Sequence, residues 1–420
     1  MARPANKQTA VEVVGRLREA GFEALLAGGC VRDMLLGEPS SDYDVATSAT
    51  PDQIAGIFPK VLMIGAKFGV AMVILKGRMI EVTTFRSDQD YADGRRPSSV
   101  SFTDARHDAQ RRDFTINGMF YDPQKDEVID YVGGREDLKK RIIRTIGSPE
   151  VRFNEDYLRM IRAVRFAVRL GFDVDADTAQ AIRHNAHNIT CISPERILEE
   201  LRKMLQRANA DGALRLMEEL GLARHVLGEL FERDLWERAL RRVAAVAARQ
   251  DLPLTFGALL CELDPADIKR IVRRWGGSNE MRDSLVYLSK HLGEWRKARE
   301  MSLAQFKKLL GDPDFPRLRR LWTYQEKVSD GSSKASREIA RRARSIDPSM
   351  VSPDPLVSGE DLKTMGVEQG PRMGSILRRV YEAQLNEQLI DRSAALRYAR
   401  DLIDDRREEH GGDEPSARAL

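Results

Sequence analysis

Cysteine is scarce. Cys30, Cys191 and Cys261 are the only three in 420 residues, far apart and with no C-x-x-C spacing. That excludes a disulfide framework and a cysteine-built zinc site, and it fits a reducing compartment. Long apolar runs are missing as well: nothing approaches the roughly 20 residues of a membrane span. The opening "MARPANKQTA" lacks the apolar centre of a signal peptide. A cytoplasmic protein without a membrane partner is the resulting expectation. The early glycine pair, Gly28-Gly29, belongs neither to G-x-G-x-x-G nor to a loop ending in Gly-Lys-Ser/Thr, so dinucleotide and P-loop chemistry do not fit. His-Asp occurs once, at His107-Asp108 in a polar stretch, which leaves no metal-dependent phosphohydrolase domain.

A large excess of either charge is also absent, the formal net charge being +3. Local charge is more informative. Residues 135–169 hold ten Lys/Arg against five Asp/Glu. Further basic runs, "RIVRRW" (270–275), "WRKAR" (295–299), "FPRLRRLW" (315–322) and "REIARRARS" (337–345), interleave with aromatic residues. Each alone is an ordinary solvated helix face; several together suggest a polyanionic partner. Apolar residues at 42% and charged residues at 32% give a soluble, globular balance, and the length calls for two to four domains.

The first 150 residues mix periods. "AVEVVGRLREAGF" reads as helix and "EALLAG", "DYDVAT", "VAMVILKG" and "MIEVTTFR" as short strands. "FTINGMFYD" and "EVIDYVGG" complete the β-containing part. Asp88 to Gln110, polar and with Gly, Pro and Ser, reads as a long loop. Beyond about residue 150 the 3.6 period dominates, as in "EDYLRMIRAVRFAVRLGF" and "SPERILEELRKMLQRA". "SDGSSKAS" (329–336) and "DPSMVSPDPLVSG" (347–359) read as linkers. The C-terminal "DDRREEHGGDEPSARAL" reads as disordered. The fold class expected is α+β: a small mixed sheet in an N-terminal head, then an all-helical remainder.

Two features carry chemistry. Asp42 and Asp44 flank Tyr43 in a strand-like run, so both carboxylates point to one face and can share a divalent cation. Two hard oxygen ligands suit Mg²⁺, which otherwise keeps water and substrate phosphate as ligands. Isolated D-x-D pairs are common in surface turns; a phosphate-binding turn nearby gives this one weight. That turn is Gly28-Gly29, whose uncovered backbone N–H groups face an anion at a helix start, with Arg32 one turn in. "RRDFTINGMFYD" adds Arg111 and Arg112, with Asp113 as a structural partner for them. In "EDYLRMIRAVRF", Asp156, Arg159, Arg162 and Arg165 recur every three residues as a stripe on one helix. A carboxylate beside a guanidinium reads the edge of C or A: it accepts from the exocyclic amine while Arg donates to a ring acceptor. U and G offer no such pattern. A salt-bridged exposed face is the alternative.

"GGCVRD", "DYDVATSATP", "IGAKFGV", "VTTFRSDQDYADGRRPSSVSFT", "RRDFTINGM" and "EDYLRMIRAVRFA" stand in the order seen in class II tRNA nucleotidyltransferases. The chain resembles these CCA-adding enzymes, whose family includes bacterial poly(A) polymerases, most closely through about residue 230. "LVSGEDLKTMGVEQGPRMGSILRRVYEAQL" also resembles the tail of the longer bacterial members.

The resemblance implies a polymerase-β-like head (1–150), a neck (151–215), a helical body (216–345), a helical tail (346–405) and a disordered end (406–420). It implies Mg²⁺ on Asp42 and Asp44, with triphosphate contacts from Gly29 and Arg32 and a nucleotide contact from Arg112. Asp156 and Arg159 are implied as the base-selecting pair, with Arg162 and Arg165 assisting. Arg86 to Arg111 resembles the flexible loop tied to switching from C to A, and Tyr91, Asp93, Gly94 and Arg95 within it favour a complete enzyme over a CC-only one. Substrates would be CTP, ATP and the tRNA 3′ end. Glu81 is a candidate third carboxylate. Gly118 departs from a common Ala, and Tyr157 is bulkier than usual. Rival readings are a poly(A) polymerase, a partial enzyme adding only CC or only A, and an idle RNA-binding protein. "IGAKFGVAMV" leans to the CCA type, and the intact carboxylates weigh against a mere binder. Oligomeric state is not legible.

Overall fold

The computed structural model describes residues 7–40, 42–91 and 97–408. They divide into two units, Met1–Leu259 with Lys269–Asn279, and Leu260–Ile268 with Glu280–Leu420. No helix among the described residues is long and apolar enough to cross a membrane.

The first unit begins with helix α1 (Lys7–Glu19), whose Ala10, Val13, Val14 and Leu17 are spaced to bury one stripe. Strand β1 (Ala24–Ala27) follows, buried at all four residues as a central strand of apolar sequence should be. Helix α2 (Gly29–Leu35) and β2 (Asp44–Thr47) come next. Helix α3 (Pro51–Ile57) opens on a capping box between Thr50 and Gln53, with Pro51 at the first helical position. Strands β3 (Val61–Leu62), β4 (Val70–Leu75) and β5 (Arg78–Thr84) then form a meander. Along β4, Ala71, Val73 and Leu75 are buried while the residues between them are half-exposed, the period-two signature of a sheet covered on one face. Strands β6 (Arg86–Tyr91) and β7 (Pro97–Phe102) and helix α4 (Ala105–Gln110) precede β8 (Phe120–Asp122) and β9 (Glu127–Ile129).

Seven strands make one mixed sheet in the order β3-β4-β5-β2-β1-β8-β9. All neighbours are antiparallel except β2 and β5. Phe85, Phe120, Ala105 and Ala109 pack over Leu25, Ala27 and Ala46, so α4 covers part of the sheet. The long loop expected from Asp88 to Gln110 is instead the β6–β7 hairpin followed by α4. Among the described residues β6 pairs only with β7, and its sequence Arg-Ser-Asp-Gln-Asp-Tyr has no apolar alternation to mark a strand. Asp93, Gly94 and Arg95, read above as part of the switching segment, lie outside the described residues.

Helices α5 (Gly134–Lys140), α6 (Pro149–Glu155), α7 (Leu158–Leu170), α8 (Ala176–Asn185) and α9 (Pro194–Leu205) continue the first unit. α7 and α9 each bury an apolar face, including Met160, Ile161 and Val164 on one and Leu198, Leu201 and Met204 on the other.

The second unit is helical, and its expected linkers are short, ordered turns. Gly331, left-handed, ends the helix Phe315–Asp330, and the Glu326 carboxylate accepts from the Ala335 and Ser336 amides at 2.8 Å, tying the turn down. Ser358 and Asp361 form a reciprocal cap at Gly359–Thr364. The C-terminal run read as disordered is helical through Glu408, because Ala395, Ala399, Leu402 and Ile403 anchor that helix in an apolar cluster. Residues 409–420 lie outside the described ones.

The tryptophans of the basic runs are also accounted for. Trp275, Trp295 and Trp322 are buried, so they pack inside their own units while the arginines beside them occupy outer helix faces. The aromatic interleaving is amphipathic packing rather than a stacking platform for bases.

Candidate active site

Strand pairing assembles one wall of the site. Ala27 stands opposite Asp44 in the antiparallel β1–β2 ladder, so the chain leaves β1 at Gly28-Gly29 beside the start of β2. On the other side of β2, Val45 pairs with Val82 of β5; one residue earlier in each strand stand Asp44 and Glu81. Ser40 Oγ donates to the Asp42 carbonyl at 2.7 Å. Asp42, Asp44, Gly29, Arg32, Arg112, Asp156, Arg159, Arg162 and Arg165 all line one open cavity of about 810 Å³, and so does Glu81. Every site residue inferred from the sequence therefore borders the same space.

The sheet wall is short of positive charge. Loss of water, the Glu81 charge and the Asp42 charge push the Asp44 carboxyl up to about 7, although Arg112 pulls the other way. Glu81 is also held above its ordinary value by loss of water, against Arg86 and Arg112 and with Asp42 adding to the rise. Like charges forced together in this way favour either a proton or a cation between them. Hard carboxylate oxygens of uncompensated charge fit a divalent metal. Among the described residues no three His, Cys, Asp or Glu side chains converge into a ready-made cage. Asp42 and Asp44 would hold an ion that takes its other ligands from water and substrate.

The glycine turn is shaped by its neighbours. Gly28 has φ +75°, and a Cβ there would lie 2.9 Å from Arg112 Nη1. A side chain at 28 would thus be strained and would displace a cavity arginine. Cys30 is buried behind the turn; burial and the nearby Asp44 charge push its thiol up to about 11, so it is inert.

The helix wall is built on a different plan, with each guanidinium held by the protein. Arg32, expected to reach a phosphate directly, is 1% exposed. It donates through Nε (2.8 Å) and Nη2 (2.6 Å) to Asp33 and through Nη1 (2.6 Å) to Asn117. It borders the cavity, its guanidinium fixed in place by Asp33 and Asn117. Asp33 also accepts from Arg169 at 3.0 Å.

Asp113 was expected to pair with Arg111 and Arg112, and it does not. Arg162 donates to it at 2.6 Å, joined by Asn117 at 3.0 Å and the Phe114 amide at 2.8 Å. Burial alone would raise the Asp113 carboxyl, but Arg162 and these hydrogen bonds hold it far below its usual range. Arg111 and Arg112 belong to Asp108 instead, at 2.7 and 2.9 Å. Asp108 lies three and four residues before them, the spacing at which helical side chains meet. It is fully buried, and the two arginines outweigh that burial and keep it ionised.

Asp156 does not share a helix with the arginines that follow. Its backbone is extended (φ −158°, ψ 100°) between α6 and α7, and its Oδ1 accepts from the Leu158 amide at 3.1 Å. Arg196 of α9 donates to both of its carboxylate oxygens, at 3.1 and 2.7 Å. Arg159 donates to the Arg152 carbonyl at 2.8 Å and to Glu155. Arg165 pairs with Glu200, and the guanidiniums of Arg32, Arg162 and Arg165 stand 5.3, 5.4 and 4.1 Å from the Phe166 ring centre.

Asp108, Asn117, Glu200 and Arg196 were not singled out from the sequence. The i−3/i−4 spacing of Asp108 was available as a signal. Arg196 and Glu200, 35 or more residues from their partners, gave none.

The chain matches the poly A polymerase head domain over residues 24–144 and the probable RNA and SrmB-binding site of polymerase A over 171–233. It is 44% identical over 283 residues to the CCA-adding enzyme of Geobacillus thermodenitrificans, covering 66% of this chain and 68% of that one. It is 33% identical to the CCA-adding enzyme of Leuconostoc citreum over 96% of this chain and 98% of the relative. Among solved structures, Bacillus stearothermophilus CCA-adding enzyme in complex with CTP superposes with a TM-score of 0.77 at 32% identity, covering 97% and 99% of the two chains. Thermotoga maritima CCA-adding enzyme complexed with tRNA, at 20% identity and a TM-score of 0.62, shares the fold. The sheet, the paired carboxylates and these likenesses over nearly the whole length agree: the chain belongs to the family of CCA-adding enzymes, nucleotidyltransferases with a polymerase-type head.

Proposed function

We propose that this protein adds C, C and A in turn to the 3′ end of tRNA, using CTP and ATP, releasing pyrophosphate and reading no nucleic-acid template. The observation that carries this reading is one cavity lined by both sets of residues. One wall presents Asp42 and Asp44, short of positive charge, beside the Gly28-Gly29 turn. The other presents Asp156 and Arg159 with a lattice of arginines.

Asp42 and Asp44 would hold Mg²⁺, and the bound ion would supply Lewis acidity beside the reacting phosphate. The amides at Gly29, with Arg32 and Arg112, face the triphosphate. Asp156 accepts from the exocyclic amine of C or A, and Arg159 donates to the ring acceptor. Arg162 and Arg165 steady the nucleotide. The 3′-hydroxyl of the tRNA, its proton passing to solvent, attacks the α-phosphorus in line, and the α–β phosphoanhydride bond breaks to release pyrophosphate. Residues 1–150 act as head and 151–215 as neck; the body (216–345) and tail (346–405) bind tRNA. The tRNA substrate and three free cysteines suit the cytoplasm.

Incubation with tRNA ending at the discriminator base, and with single and paired nucleotides, tests the reading. Two C with CTP alone, and a final A only when ATP is added, is the expected result. Long A tails would replace it with a poly(A) polymerase.

A further inference from the structure

Exposed apolar side chains are unevenly spread. Among the described residues eleven large ones are exposed, and five of them, Leu62, Met63, Ile64, Met79 and Phe102, lie in β3, the turn after it, β5 or β7. A patch concentrated in this way marks a contact surface. Pairing relates it to the carboxylates. Leu62 stands opposite Met72, and Met72 opposite Glu81. Glu81 and Asp44 each precede the Val82–Val45 pair, and Asp44 stands opposite Ala27. A single row across the sheet therefore runs Leu62, Met72, Glu81, Asp44, Ala27. The glycine turn lies at one end, the apolar shelf at the other and the carboxylates between them. At about 4.8 Å per strand, Met72 lies about 10 Å from Asp44, the length of one nucleoside.

In-line displacement at phosphorus puts the attacking and leaving oxygens on opposite sides. With the triphosphate at the glycine turn, as proposed above, the attacking 3′-hydroxyl arrives over Glu81 and its nucleoside lies over Met72 and Leu62. We infer that this shelf seats the 3′-terminal nucleoside of the RNA being extended. The inference rests on the assignment of the carboxylates and the glycine turn. The side chains of Leu62, Ile64 and Met72 hold a base by its face and carry nothing that reads its edge. Such a surface suits a primer whose last base changes with each addition, while base choice is made on the other wall.

The test pairs kinetics with cross-linking. Leu62→Ser, at an exposed position, should raise KM for tRNA about tenfold and leave KM for CTP within about twofold. Leu62→Met should restore the wild-type value, and Tyr131→Ser, an exposed aromatic residue just after β9 at the opposite edge of the sheet, should move neither constant. A tRNA ending in 4-thiouridine should photo-cross-link to residues 62–79. An unchanged KM for tRNA, or cross-links confined to other segments, overturns the proposal. So does a dimer in sedimentation that Leu62→Ser dissolves, since the shelf would then seat a second copy. Asp44→Asn in the same assay separates the two assignments: if incorporation persists, the carboxylate reading fails whatever the shelf does.

Discussion

The two walls of the cavity solve opposite electrostatic problems. On the sheet wall, Asp42, Asp44 and Glu81 carry more negative charge than Arg112 and Arg86 offset, and Asp44 is left titrating near neutrality. On the helix wall, Asp33, Asp108, Asp113 and Glu200 each hold arginines through short hydrogen bonds. The first wall is completed by what it binds. The second is complete beforehand, its guanidiniums fixed so that little reorganisation remains when a nucleotide arrives. A wall of the first kind sacrifices stability for function, and one of the second kind supplies both.

Substitutions should separate these roles. Asp44→Asn should lower CTP incorporation by about a thousandfold or more while removing like-charge repulsion. Its melting temperature should therefore equal or slightly exceed that of the wild type; a marked drop would contradict the picture of an overcharged wall.

Asp113→Asn should do the reverse on the helix wall. Leaving half-buried Arg162 with only Glu200, 3.7 Å away, should cost about 1.5–3 kcal/mol of stability, read as a fall in the denaturant midpoint. The folded-state pKa of Asp113 is depressed, so its contribution is fully present above the unfolded value near 4 and is lost only as pH falls through the folded one. The difference between wild type and variant should accordingly stay flat from pH 5 to 8.

The smallest effect sharpens the first wall alone. A proton on Asp44 competes with a metal, and its pKa is raised to about 7. Mn²⁺ affinity without nucleotide should then rise about tenfold between pH 6 and 8, with proton uptake by the buffer near neutrality. A pH-independent affinity would show that Asp44 does not ligate the ion.

The sequence disclosed the walls unequally. Asp42 and Asp44 were readable because strand periodicity puts i and i+2 on one face, and the glycine turn because a strand precedes it. The arginines Arg159, Arg162 and Arg165 were readable as a stripe. The anchors of Arg162 and Arg165 were not, since pairing over 35 to 49 residues, as in Arg165–Glu200 and Arg162–Asp113, depends on how helices and loops pack. Asp156 misled because the three-residue spacing continues smoothly across a backbone break. The β6–β7 hairpin was hidden by polar composition, and the buried tryptophans looked like a binding surface because an Arg lies within two residues of each.

The pairing of Ala27 with Asp44, and of Val45 with Val82, has a consequence for anyone who refolds or redesigns the head. Side chains alternate along a strand, so slipping β2 by one residue would turn Asp44 to the opposite face and leave Tyr43 or Val45 in its place. No intermediate register is partly active. Specific activity in a preparation then counts molecules rather than grading them: it reports the fraction of chains whose central strands met in the right register.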